Sequence, residues 1–206
     1  MPPNLAIEAE VVDVRNDDPQ NDEAFLVDTN VWLWMTYVNA TTGSIATRQA
    51  REYSGYFQKC LAKHCKLYFC GLTLAELSHQ IESTEREIYT MANGVTLTTK
   101  EFRHNFPTER ANTISEVQAA WAQVMALGEF VEVTIDQDAI SNAGARYAGN
   151  PIDGYDLFLH EAMKKANLSR ILTDDGDFAT VSGLLVFTSN PNVISSAKRQ
   201  GKLRKR

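Results

Sequence analysis

The chain has 206 residues, 44% of them hydrophobic and 22% charged, which suits one domain with a substantial core. No apolar stretch approaches the roughly 20 residues that span a bilayer. The opening Met1-Pro2-Pro3-Asn4 lacks the basic-then-apolar pattern of a secretion signal, so a cytoplasmic location without membrane contact is expected.

Residues 1–23 are expected to form an N-terminal arm, largely loop around Asn16-Asp17-Asp18-Pro19, with 6–14 available as an added edge strand. Phe25-Leu26-Val27-Asp28 reads as the first core strand, and a helix from Thr29 points Trp32 toward the core. A second helix covers about 44–64, and Leu67-Tyr68-Phe69-Cys70 is a short apolar strand. A long helix runs from Thr73 to about Met91, after which Gly94 and several threonines predict a loop or short helix. Pro107 suits the first turn of the next helix, whose apolar face holds Ile114, Val117, Trp121, Val124 and Met125 before Gly128 stops it. Phe130-Val131-Glu132-Val133 predicts a strand, and Asp136 can cap a helix reaching about Tyr147. A helix carrying Asp156, Leu159 and Met163 follows, and strands at 170–173 and 185–187 complete the set. This alternation predicts a three-layer α/β/α fold around a central, mostly parallel sheet.

The net charge of −6 is uneven. Residues 198–206 carry six basic side chains and no acidic one, which leaves 14 of the 20 basic residues against 26 acidic ones elsewhere. Without apolar anchors, this tail is expected to be mobile, either solvated or in contact with RNA or a partner. Cys60, Cys65 and Cys70 match no common zinc spacing even with His64 beside them, and they read as reduced, buried thiols.

Four acidic clusters stand at the ends of apolar runs or the starts of helices: Asp28, Glu76, Asp153 with Asp156, and Asp174 with Asp175 and Asp177. Strand ends meet along one edge of a parallel sheet, so carboxylates placed there can converge. Convergent carboxylates repel one another unless a cation sits among them, and a hard ion such as Mg²⁺ or Mn²⁺ suits an all-oxygen pocket. Each cluster also has a plainer explanation. Thr73-Leu74-Ala75-Glu76 is a capping-box pattern, Asp28 and Asp153 can cap helices, and Asp174-Asp175-Gly176-Asp177 suits a turn.

The order and spacing of the four resemble the PIN-domain ribonucleases, the fold of VapC-type toxins. Val27-Asp28-Thr29-Asn30, Leu74-Ala75-Glu76-Leu77, Asp156-Leu157-Phe158-Leu159 and Thr173-Asp174-Asp175-Gly176-Asp177-Phe178 carry the resemblance, over about residues 25–188. It implies a PIN-like nuclease domain at 24–190, with 191–206 a helix end and basic tail. It further implies that Asp28, Glu76, Asp156 and Asp175 are catalytic and bind Mg²⁺ or Mn²⁺, joined by Asp177, with Asn30 and Thr173 orienting them. RNA is the implied substrate. An antitoxin protein and a second copy of the chain are the implied partners.

Arg48, Arg51, Arg86, Lys100, Arg103 and Arg146 are candidate phosphate contacts, and Trp32, Trp34 and Tyr37 candidate base-stacking residues, of which Trp32 reads better as core. His160, four residues after Asp156, can approach the same region. Two other readings compete with the nuclease. One is a catalytically silent PIN-like scaffold that binds RNA or protein. The other is an aspartyl-phosphate hydrolase, which wants a second Asp two residues after the first, where this chain has Asn30.

Overall fold

A computed structural model describes residues 5–41 and 44–206. Among them, seven strands make one sheet: β1 (Glu10–Asp13), β2 (Ala24–Val27), β3 (Lys66–Phe69), β4 (Glu129–Phe130), β5 (Arg170–Leu172), β6 (Leu185–Thr188) and β7 (Leu203–Arg204). Their order is β4-β3-β2-β5-β6-β1-β7, and every neighbouring pair is parallel. The helices between them are α1 (Thr29–Thr36), α2 (Ser44–Ala62), α3 (Gly71–Asn93), α4 (Thr99–Asn105), α5 (Pro107–Leu127), α6 (Gln137–Tyr147), α7 (Gly154–Lys165) and α8 (Pro191–Arg199). This is the three-layer α/β/α architecture the alternation predicts, with a sheet that is parallel throughout.

Burial follows the strand composition. Phe25, Leu26 and Val27 are completely buried, because an inner parallel strand is covered by helices on both faces. On one face Trp32 packs edge-on against Phe57 at 5.3 Å and Phe69 at 6.4 Å between ring centres. Leu26, Ile171 and Val186 face a second cluster with Leu159, Met163 and Phe178. Cys60, Cys65 and Cys70 are free and buried, as their spacing predicts.

The threonine-rich interruption is a short helix with its own capping box. Thr98 N–H donates to Glu101 Oε2 at 2.8 Å, and Thr98 Oγ1 accepts from Glu101 N–H at 3.2 Å. Glu82 of α3 is buried and takes guanidinium groups from Arg103 and from Arg110 (2.7 Å), which ties α3 to α4 and α5.

Two expectations fail at the chain's ends. The strand in the N-terminal arm lies between β6 and β7, not at the sheet's edge. The basic tail is folded: α8 runs to Arg199, Gly201 turns the chain at φ +69°, and β7 pairs with β1. Arg206 then donates to Asp17 at 2.6 and 3.0 Å and to Glu23, with its guanidinium carbon 4.7 Å from the Phe187 ring centre. Asp17 and Glu23 are buried, and two buried carboxylates need a cation beside them. Residue count and polarity predicted freedom for the tail; the acidic partners that hold it are almost 190 residues away in sequence.

Candidate active site

The chain reverses direction across the sheet at β2. From β2 it proceeds to β3 and β4 on one side, then crosses back to β5 and β6 on the other. Such a switch leaves a crevice at the strands' C-terminal ends, where ligands of parallel α/β folds bind. Asp28 follows β2 directly, Glu76 lies in the second turn of the helix after β3, and Thr173 to Asp177 follow β5. Asp156 comes from the first turn of α7.

Asp28 caps α1, its Oδ1 accepting Thr29 N–H at 2.6 Å. Its other oxygen accepts the Thr173 hydroxyl at 2.6 Å and the Asn30 amide at 2.7 Å. Thr173 Oγ1 in turn accepts Asp175 N–H at 2.8 Å, and Asp175 Oδ1 accepts Asp177 N–H at 2.8 Å. One hydroxyl therefore sets the spacing between the strand ends that carry Asp28 and Asp175. Glu76 takes the Thr29 hydroxyl at 2.7 Å and the Gln80 amide at 3.1 Å.

The capping explanation of Glu76 does not hold. Helix α3 starts at Gly71 with Cys70 as its N-cap, and Thr73 Oγ1 accepts Cys70 N–H at 3.3 Å. Thr73 itself holds the third helical position, so Glu76 lies a turn too late to cap. Asp153 is a cap, accepting Tyr155 and Asp156 N–H at 2.9 and 3.1 Å. Asp174 points away from the acidic group toward α2, where Tyr53 donates to it at 2.8 Å and Gln49 also donates.

Asp28 and Asp156 are buried, at 4% and 7% exposed, and their charges are felt across the group. Burial pushes Asp28 up to about 7; the charges of Glu76 and Asp175 add to this, and the Thr173 hydroxyl opposes it. Burial, then the charges of Asp28, Asp153, Asp175 and Glu76, push Asp156 up to about 9. Asp177 rises to about 6 through burial and the charge of Asp175. Among the described residues, no lysine, arginine or histidine forms an ion pair with Asp28, Glu76, Asp156, Asp175 or Asp177. Nor, among them, do three carboxylate, histidine or cysteine side chains stand in a ready-made ion-holding group.

Other candidates resolve elsewhere. His160 is buried, burial lowers its pKa to about 4, and Arg146, Glu161 and Lys164 are the charges around it. Arg86 donates to Leu97 O, Arg103 to Glu82 and Arg146 to Glu161, so all three have internal work. Trp34 stacks on Tyr53 at 5.3 Å, and Tyr37 donates to Glu85. A groove of about 430 Å³ between α3 and α5, lined by Ser78, His79, Glu82, Arg103, Arg110 and Trp121, includes none of the five carboxylates. Sequence reasoning missed Thr29, Gln80 and Tyr53. The four-residue spacing from Glu76 to Gln80 was a usable signal, whereas nothing local links Tyr53 to residues 120 positions on.

The PIN-domain family model matches residues 25–184, which spans all four acidic motifs. The chain belongs to the PIN-domain family. PIN domains are generally nucleases. Among solved structures it is similar to VapBC2 from Rickettsia felis bound to a DNA fragment from their promoter. That match has 13% identity and a TM-score of 0.46, and covers 79% of this chain and 96% of the other. No curated protein sequence gives a significant match. Among the described residues no helix is long and apolar enough to cross a membrane.

Proposed function

We propose that this PIN domain is a divalent-metal-dependent endoribonuclease, with Asp28, Glu76, Asp156 and Asp175 binding Mg²⁺ or Mn²⁺ and Asp177 beside them. The observation that carries this reading is an acidic group, with Asp28 and Asp156 buried and Glu76, Asp175 and Asp177 half-buried, for which, among the described residues, the protein supplies no cation in an ion pair. Burying like charges costs several kcal/mol per ion unless a counter-charge is added, and an all-oxygen donor set suits a hard cation. When bound, such an ion lowers the pKa of water and polarises a phosphoryl oxygen.

The chain's own residues orient that chemistry. Thr173 and Asn30 hold one Asp28 oxygen, and Thr29 and Gln80 hold both Glu76 oxygens, so each carboxylate presents a defined remaining face. No serine or cysteine nucleophile is needed. The test is cleavage of a mixed RNA substrate by purified protein with Mn²⁺ or Mg²⁺, and its loss in excess chelator. Cleavage that persists in chelator would exclude the mechanism.

The silent-scaffold reading draws on the lack of a ready-made ion-holding group among the described residues. It requires that the protein bind RNA without metal-dependent turnover, which the same assay decides. From the motif resemblance we also propose a toxin role with an antitoxin partner, and a homodimer. Co-purification of a protein encoded beside it, and light scattering of the isolated chain, are expected to show these.

A further inference from the structure

Tyr53 lies in the middle of α2, far in sequence from every acidic motif, and is completely buried. Its hydroxyl is 2.9 Å from Thr173 O, 2.8 Å from Asp174 Oδ1 and 3.1 Å from Thr188 Oγ1, and accepts Ser189 N–H at 3.0 Å. A phenol has one hydrogen to give. The Ser189 amide occupies one lone pair, and Thr188 Oγ1 can donate to the other, so the Tyr53 hydrogen goes to the Thr173 and Asp174 acceptors. Gln49, one turn earlier on α2, holds the other Asp174 oxygen, and Asn190 donates to Asp174 O at 2.7 Å. The indole of Trp34 covers the phenol ring, stacked at 5.3 Å.

Thr173 and Asp174 are the first residues of the turn that presents Asp175, and the Thr173 hydroxyl is also the partner of Asp28. The buried Tyr53 hydroxyl thus helps hold the main chain between β5 and Asp175 against the C-terminal end of β6, alongside Thr173 N–H to Phe187 O at 3.0 Å and the Asn190 bond. We propose that Tyr53 is a positioning residue of the acidic site, acting through Asp174 and the Thr173 carbonyl to hold the Asp28–Thr173–Asp175 spacing that receives the divalent ion. The proposal rests on the metal-site reading above and deepens it. Tyr53 is buried with its hydroxyl engaged by protein groups alone, so its role is to position and not to react.

The same helix supplies a control. Tyr56, three residues on, is also buried and donates to Asp17 at 2.6 Å, whose other side-chain partner is Arg206 and not the acidic group. Tyr53→Phe and Tyr56→Phe each delete one buried hydroxyl from α2, so a purely structural role predicts matched behaviour. The experiment is Mn²⁺ titration by calorimetry on the full chain, with melting temperature measured in chelator.

Tyr53→Phe is expected to weaken Mn²⁺ affinity on the order of 10–100-fold, as loss of an orienting partner does. Tyr56→Phe is expected to leave that affinity unchanged, whatever its melting temperature. Gln49→Ala, which removes the second Asp174 bond from a half-buried position, is expected to shift affinity in the same direction by less, and serves if Tyr53→Phe does not fold. Saturable wild-type binding with unaltered affinity in Tyr53→Phe, or in Gln49→Ala where that variant stands in, overturns the proposal alone. No saturable Mn²⁺ binding by the wild-type chain overturns the metal reading and this inference with it.

Discussion

Thr29 donates its hydroxyl to Glu76 at 2.7 Å and so joins the helix that follows β2 to the helix that follows β3. The bond gives Glu76 a role across the crevice and separates it from the helix-capping duty that its sequence pattern suggests. Thr73, at the third helical position, accepts the amide of the cap residue Cys70 in its place.

That relationship makes Glu76→Gln informative. Glutamine keeps the acceptor for Thr29, so the melting temperature is expected to move by only a degree or two, in line with a surface-scale change of about 0.5 kcal/mol. A neutral amide replaces a carboxylate poorly at a hard cation, so the Mn²⁺ concentration for half-maximal cleavage is expected to rise at least about tenfold. Unaltered metal dependence and rate would remove Glu76 from the site.

Asp28→Asn is expected to abolish cleavage by orders of magnitude and to raise the melting temperature in chelator. Asp28 is raised to about 7, from an ordinary value near 3.8, by burial first and then by the charges of Glu76 and Asp175. For a carboxyl raised on folding, the sign is clear: stability is intact below the ordinary value and is lost as pH rises through about 7. Wild-type protein in chelator is therefore expected to melt progressively lower between about pH 4 and pH 7, and Asp28→Asn to lose part of that slope. Thermal melts across this range check it; parallel curves for the two proteins would refute it.

Arg206→Ala removes the cation shared by Asp17 and Glu23. Breaking a buried pair costs about 3–5 kcal/mol because a charge is left without compensation. Glu23 retains Arg170 at 3.2 Å, so a loss near the lower end, about 3 kcal/mol, is expected in urea unfolding. With the tail held in the sheet, truncation of residues 198–206 is expected to cost stability before it alters any salt dependence of RNA binding. A truncated chain with unchanged unfolding midpoint would contradict a stabilising role for the Arg206 bonds to Asp17 and Glu23.

Gly128→Ala tests close packing at the end of α5. An added Cβ would meet Leu67 O and Phe69 Cδ1 at 2.9 Å and Trp32 Cζ2 at 3.1 Å, all of them fixed in the core. Overpacking costs about 1–3 kcal/mol, which exceeds the roughly 0.4–1 kcal/mol gained by stiffening the unfolded chain. Net destabilisation is expected, read as a lower denaturant midpoint with an unchanged slope.

By itself the sequence determined the layer architecture and the acidic signature. Phe25-Leu26-Val27 and Ile171-Leu172 are apolar runs too short for helices, and helical periods separate them, so a parallel sheet with its carboxylates at one edge follows from local chemistry. What only the tertiary structure decided are the pairings between distant segments. Thr29 meets Glu76 across 47 positions, Tyr53 meets Asp174 across 121, and Arg206 meets Asp17 across 189. Polar partners of this kind carry no periodicity. A hydroxyl or guanidinium reads the same whether solvated or buried, and it is the low dielectric of the folded interior that requires each buried charge or donor to find its counterpart.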